Sequence, residues 1–159
     1  MNGAAISIEP DDPLRAPVRD LLDAHLRALA PTAPPESRHS LDHDALRAAD
    51  VQFWTARLDG TVVGCAALRL LSPTHGEVKS MSTAEAFRCR GVAGRLLDHL
   101  IAAARATGVE RLSLETGSQS FFAPAHRLYE RHGFTRCGPF GCYREDVNSV
   151  FMTRLLHDG

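Results

Sequence analysis

The sequence predicts an α/β fold, a mixed β-sheet with helices on both faces, and three observations carry that expectation. Two runs rich in strand formers, residues 53–58 and 61–71, flank Asp59-Gly60, a strong short-range hairpin signal. After Gly91, residues Val92, Leu96, Leu97, Leu100, Ile101 and Ala104 return on one helical face, with Arg95, Asp98, His99 and Arg105 off it. Strand-like and helix-like segments also alternate along the chain: strand, two helices, three strands, a long helix, strand, helix, and one or two closing strands.

Taken in order, Ile6 to Ile8 reads as a short first strand. Asp11-Asp12-Pro13 offers capping carboxylates and a proline suited to a helix start. Leu14, Val18, Leu21, Leu22, Leu26 and Leu29 follow at helical spacing, with Pro17 as the point where a regular helix begins. Ser40 reads as the N-cap of a second short helix through Leu41, Leu46 and Ala49. Residues 76–83 read as the fourth strand. There Val78, Met81 and Thr83 break strict alternation, and a β-bulge near Lys79 and Ser80 restores it. Residues 111–115 form a strand, 125–132 a short helix stopped by Gly133, and 150–155 a closing strand.

The bulk properties narrow the function. With 159 residues the chain reads as one domain, 1–159, and 44% hydrophobic with 23% charged residues is ordinary globular composition. A net charge of −1 supplies no basic field for nucleic acid or anionic lipid, so neither is expected as a partner. No run of about 18 apolar residues and no leader pattern occurs, which points to a cytoplasmic protein without a membrane partner. Cys65, Cys89, Cys137 and Cys142 lack zinc-ligand spacing and read as free thiols. His39 and His43 do not share a helical face, so no metal is expected.

The segment that carries chemistry is Arg88-Cys89-Arg90-Gly91-Val92-Ala93-Gly94. A strand running into a turn and a long helix leaves the first helical N–H groups unpaired, and they attract anions. Gly91, Ala93 and Gly94 let a diphosphate approach the backbone, while Arg88, Arg90 and Arg95 supply charge. The spacing fits neither the Walker lysine motif nor the dinucleotide fingerprint. A bulge just upstream frees backbone groups to pair with an amide-bearing ligand such as pantetheine.

Three blocks, Glu77-Val78-Lys79-Ser80-Met81-Ser82-Thr83, the turn of residues 88–94, and Leu128-Tyr129-Glu130-Arg131-His132-Gly133-Phe134, resemble the GNAT superfamily of acyl-CoA N-acyltransferases in order and spacing. The likeness covers the last half of the chain well and the first half by layout. Residues 114–117, 137–143 and 149–152 look like a bacterial subgroup containing proteins named indole-3-acetic acid acetyltransferases.

The resemblance implies a mixed, mostly antiparallel sheet of six to seven strands with a bulged fourth strand. It implies acetyl-CoA as acyl donor, with Met81, Ser82 and Thr83 along the pantetheine arm and Arg88, Cys89, Arg90, Gly91, Val92, Ala93 and Gly94 around the pyrophosphate. It also implies direct attack by the amine of a small-molecule acceptor. One departure is Phe122, where the family often carries an asparagine.

Acyl transfer to an amine needs a group to take a proton from nitrogen and one to protonate the leaving thiolate. Glu77 is the candidate base, directly or through a water, and Tyr129 the candidate acid. The alternative for Glu77 is an exposed carboxylate at a strand start, and for Tyr129 a core tyrosine with a wet tip. Residues 118–124 and 138–148 are expected to wall the acceptor pocket, with His75 and His126 flanking it and Arg144 as an anchor for a carboxylate-bearing acceptor. The rival function is a non-catalytic acyl-CoA-binding sensor. An edge-strand homodimer is a further expectation.

Overall fold

Asp59 and Gly60, both in the left-handed region, make a two-residue turn between β2 (Val51–Leu58) and β3 (Thr61–Ser72). This hairpin is the middle of the sheet's first half. In the computed structural model, which describes residues 5–32, 34 and 43–156, β1 (Ile6–Pro10) lies antiparallel to β2, and β4 (His75–Thr83) lies antiparallel to β3. The second half comprises β5 (Arg111–Gly117), β6 (Thr135–Cys137) and β7 (Ser149–Leu155). Seven strands follow the order β1-β2-β3-β4-β5-β7-β6, and only the β4–β5 pair is parallel. β6 is the second of the closing strands.

Helices cover both faces. On one, α1 (Ala16–Leu29) sets Val18, Leu21 and Leu22 against Phe53, Cys65 and Ala67. Pro17 sits in its first turn, where a missing N–H costs nothing. On the other face, α2 (Val92–Ala106) buries Val92, Leu96, Leu97, Leu100, Ile101 and Ala104, the six residues its periodicity selects. They pack on Trp54, Ala56, Leu68, Val78, Leu112 and Leu114, each full aliphatic side chain contributing about 1.5–3 kcal/mol. α3 (Ala123–Arg131) docks beside α2, and its Tyr129 meets Phe134 edge to face at 5.8 Å.

Three expectations need correction. The segment through Leu46 is a single 3-10 turn, Ala45–Arg47, and its expected cap Ser40 lies outside the described residues. α3 begins at Ala123, because Ser120–Phe122 forms a 3-10 turn leading straight into it. The bulge lies one position later than its pattern indicates. Cys65 pairs with Ser82 and Ala67 with Lys79, so Ser80 and Met81 together oppose Ala66. Ser80 takes φ +54° to make the excursion, and the Cys65 thiol donates to its carbonyl at 3.2 Å.

Candidate functional site

The site starts where the sheet opens. β4 and β5 pair only through His75↔Arg111, Gly76↔Leu112 and Glu77↔Ser113, after which the strands part. The ladder to β5 ends at Glu77↔Ser113, and the bulge at Ser80 and Met81 follows just beyond it. Strand N–H and C=O groups at such a split stay available to a ligand.

The opening leads to the turn before α2. Cys89 (φ +64°) and Gly91 (φ +83°) both take left-handed backbone there, and Gly91 stands at the N-cap with no side chain capping the helix. A residue with a Cβ is strained in that conformation, so glycine suits the cap. The first-turn amides that the helix itself leaves unpaired, with the positive end of the helix dipole, make this turn attractive to an anion.

One cavity of about 980 Å³ joins these parts. Met81, Ser82, Thr83, Arg88, Cys89, Gly91, Val92, Ala93 and Gly94 all line it, as do Tyr129 and Glu115. Arg90 does not, since its guanidinium lies over the Phe87 ring at 5.4 Å. Arg95 is likewise turned away, donating to the Ile6 carbonyl at 3.2 Å. Arg88 is therefore the arginine of this turn that faces the cavity. Burial lowers the pKa of His25 on α1, and the charge of Arg88 lowers it further. At the same end His132 bridges α3 to α2 through Asp98 at 3.1 Å.

Tyr129 is 6% exposed. Burial, then the charge of Glu115, pushes its phenol well above the ordinary range, so it stays protonated at neutral pH. Such a hydroxyl remains a hydrogen-bond donor to a group formed beside it.

Glu77 lies deeper than its expected role as a direct base requires. It is 2% exposed and does not line the cavity. The hydroxyl of Tyr143 donates to its carboxylate, the Lys79 ammonium donates to that hydroxyl at 3.0 Å, and Lys79 stands 3.5 Å from Glu77. Burial, then the charge of and hydrogen bond to Glu77 and the charge of Glu115, pushes the Tyr143 phenol upward, with Arg69 opposing. Lys79 does line the cavity, and Tyr143 arrives from the loop before β7.

Other expected contributors fall elsewhere. His75 bonds Ser113 at 2.7 Å and His126 meets the Gly117 carbonyl at 2.8 Å, and neither lines the cavity. Arg144 is exposed and away from it, so it does not anchor an acceptor there. Of residues 138–148 only Asn148 reaches the cavity, whereas Gln119, Phe121, Phe122 and Pro124 wall it from the segment before α3. Two cavity-facing groups escaped sequence reasoning. The broken alternation of residues 76–83 sets Lys79 near the bulge and assigns it no role. Glu115 reads as the end of a strand and as part of the subgroup resemblance of residues 114–117, with no catalytic role, although its position two residues past Ser113 sets both on one face of β5. Among the described residues no group of three His, Cys, Asp or Glu side chains is gathered as a metal ion requires.

Comparison with known proteins places this geometry in context. The model of the Acetyltransferase (GNAT) family matches residues 17–134. The chain is 46% identical over 149 residues to the uncharacterized N-acetyltransferase YsnE of Bacillus subtilis (strain 168), covering 94% of this chain and 99% of that protein. It is 38% identical over 152 residues to a protein named IAA acetyltransferase from Azospirillum brasilense, covering 95% and 98%. Among solved structures, a Klebsiella pneumoniae protein provisionally described as an acyl-CoA N-acyltransferase superposes with a TM-score of 0.78 at 29% identity, covering 96% of this chain and 98% of that one.

Proposed function

This chain belongs to the Acetyltransferase (GNAT) family, and on that footing we propose that it transfers acetyl from acetyl-CoA to the amine of a small molecule by direct attack. Family membership and relatives named acetyltransferases make it an acetyltransferase and set the sensor alternative aside. The observation that carries the proposal is the continuity of one cavity from the β4–β5 opening to the uncapped start of α2. An amide-bearing arm ending in a diphosphate matches that sequence of free backbone groups and free helical amides.

In this reading the backbone of Met81, Ser82 and Thr83 pairs with pantetheine, and Arg88, Cys89, Gly91, Val92, Ala93 and Gly94 receive the pyrophosphate. Arg90 adds charge at longer range. The acceptor nitrogen attacks the thioester carbon, the C–S bond breaks, and Tyr129 protonates the sulfur. Glu77 acts indirectly, by orienting the Tyr143 hydroxyl and, with it, the Lys79 ammonium that lines the cavity. Thermal unfolding with acetyl-CoA, coenzyme A, ATP or NAD tests the donor. A ligand at 100 times its Kd stabilises by about 2.7 kcal/mol, and a shift with acetyl-CoA but not with ATP or NAD is expected. No shift with acetyl-CoA refutes the assignment.

A further inference from the structure

We infer that Glu115 receives the nitrogen of the acceptor, and that the acceptor is a primary amine bearing an apolar group. This rests on the acetyl-transfer reading above and names the substrate class for the same site.

Of the two carboxylates on the open face of the β4–β5 split, Glu77 is closed behind Tyr143, and Glu115 lines the cavity. Ser149 donates to one oxygen of Glu115 at 2.7 Å, which fixes the carboxylate on β5 just past the last β4–β5 pair. Its charge reaches the phenols of both Tyr129 and Tyr143. The proposed acid therefore stands within electrostatic range of the carboxylate, as transfer between a nitrogen and a neighbouring sulfur requires.

A carboxylate in the cavity wall selects the acceptor. Around the Tyr143 hydroxyl the carboxylates Glu77 and Glu115 stand against Lys79 and the more distant charge of Arg69, and of these four Glu115 and Lys79 line the cavity. Arg88 and Arg131 also line the cavity, but Arg88 belongs to the phosphate turn. Arg131 ends α3 next to His132, whose ring lies 3.9 Å from where a Cβ on Gly94 would stand. Glu115 is the one carboxylate among the described residues that line the cavity, and a carboxylate is the partner an ammonium takes.

The apolar requirement comes from the segment just after β5. The Phe122 ring lies against Gly117, two residues beyond Glu115, and Phe121 packs edge-on to it at 5.0 Å. Phe121 remains 47% exposed while lining the cavity. A hydrocarbon or aromatic substituent on the amine covers that ring when its nitrogen sits at Glu115.

The protons balance. The ammonium gives one proton to Glu115, which passes it to solvent, leaving a neutral amine. Nitrogen then bonds to the acetyl carbon as the C–S bond breaks. The nitrogen's second proton leaves through Glu115, sulfur takes the Tyr129 proton, and the phenol is restored through solvent.

Thiol release would be measured with 2-phenylethylamine, hexylamine, ethanolamine and 2-phenylethanol, alongside acetyl-CoA-induced thermal shifts. The two apolar amines should exceed ethanolamine by about tenfold in kcat/KM, the alcohol should be inert, and Glu115→Gln should lower kcat/KM for the amines by about 100-fold. The acetyl-CoA shift of Glu115→Gln should match that of the parent. Phe121→Ala, at an exposed ring, should raise KM for 2-phenylethylamine by about tenfold and leave that for ethanolamine unchanged. Parental kcat/KM in Glu115→Gln, equal or better use of ethanolamine, or no turnover of either apolar amine by a protein that binds acetyl-CoA would overturn the inference. Absence of an acetyl-CoA shift in the parent would instead remove the reading beneath it.

Discussion

The hydroxyl of Tyr143 donates to the carboxylate of Glu77 across 66 residues of sequence, while the same oxygen accepts from Lys79 at 3.0 Å. A loop of exposed and half-buried residues is thereby pinned over a carboxylate that is 2% exposed. Tyr143→Phe removes both bonds and leaves the buried charge with fewer donors. A loss of about 1–3 kcal/mol in urea unfolding is expected, together with lower kcat/KM for amines. Unchanged stability and turnover would show that the hydroxyl contributes neither packing nor orientation.

Tyr129 lies in the cavity with its phenol held protonated by burial and then by Glu115. Tyr129→Phe keeps the ring and its contact with Phe134 but removes the donor. Turnover should fall by about 100-fold while the acetyl-CoA thermal shift stays at its parental value. Parental turnover would assign sulfur protonation to another group or to water.

A Cβ built on Gly117 would lie 2.0 Å from the Phe122 ring, far inside contact distance. Gly117→Ala must therefore displace the ring or the end of β5, at a cost of about 1–3 kcal/mol. In the background of Phe122→Ala the same change should be nearly neutral. A double-mutant cycle by urea unfolding reads the difference directly, and additive effects would contradict the contact.

Asp11 gathers donors from β2 and from the turn before α1. Its carboxylate accepts from Arg15 at 2.9 and 2.7 Å, Thr55 at 2.6 Å, Arg57 at 2.8 Å and the Asp12 N–H at 2.7 Å. Burial alone would raise its pKa, but these hydrogen bonds outweigh it and hold the carboxyl well below its usual range. The unfolded group titrates near about 3.9, so the stabilisation is fully present above that pH. It is lost progressively as pH falls below about 3.9 toward the folded value. Acid titration of stability should be steeper for the parent than for Asp11→Asn over that window, and parallel curves would discount the cluster.

Local periodicity made much of this fold legible. The six buried residues of α2 and the Asp59-Gly60 hairpin are written in adjacent residues, where side-chain spacing reports the face directly. The bulge was legible as broken alternation, but its position depends on the register against β3, which Cys65 and Ala67 set from a distant strand. Phe122 stood out as a departure from the family pattern, whereas its contact with Gly117 depends on where β5 ends. The partnership of Glu77 with Tyr143 was hidden for the same reason. Nothing near Glu77 in sequence announces a phenol brought back by the loop before β7, and without it Glu77 reads as an accessible base.

The three-pair seam between β4 and β5 has a mechanical consequence. Chain before α2 builds one sheet half and chain after it builds the other, so few hydrogen bonds resist their opening like a book. A cofactor lying in the gap would act as a rivet across that spine. Amide exchange in Leu112 and Ser113 should then slow on acetyl-CoA binding even though neither lines the cavity.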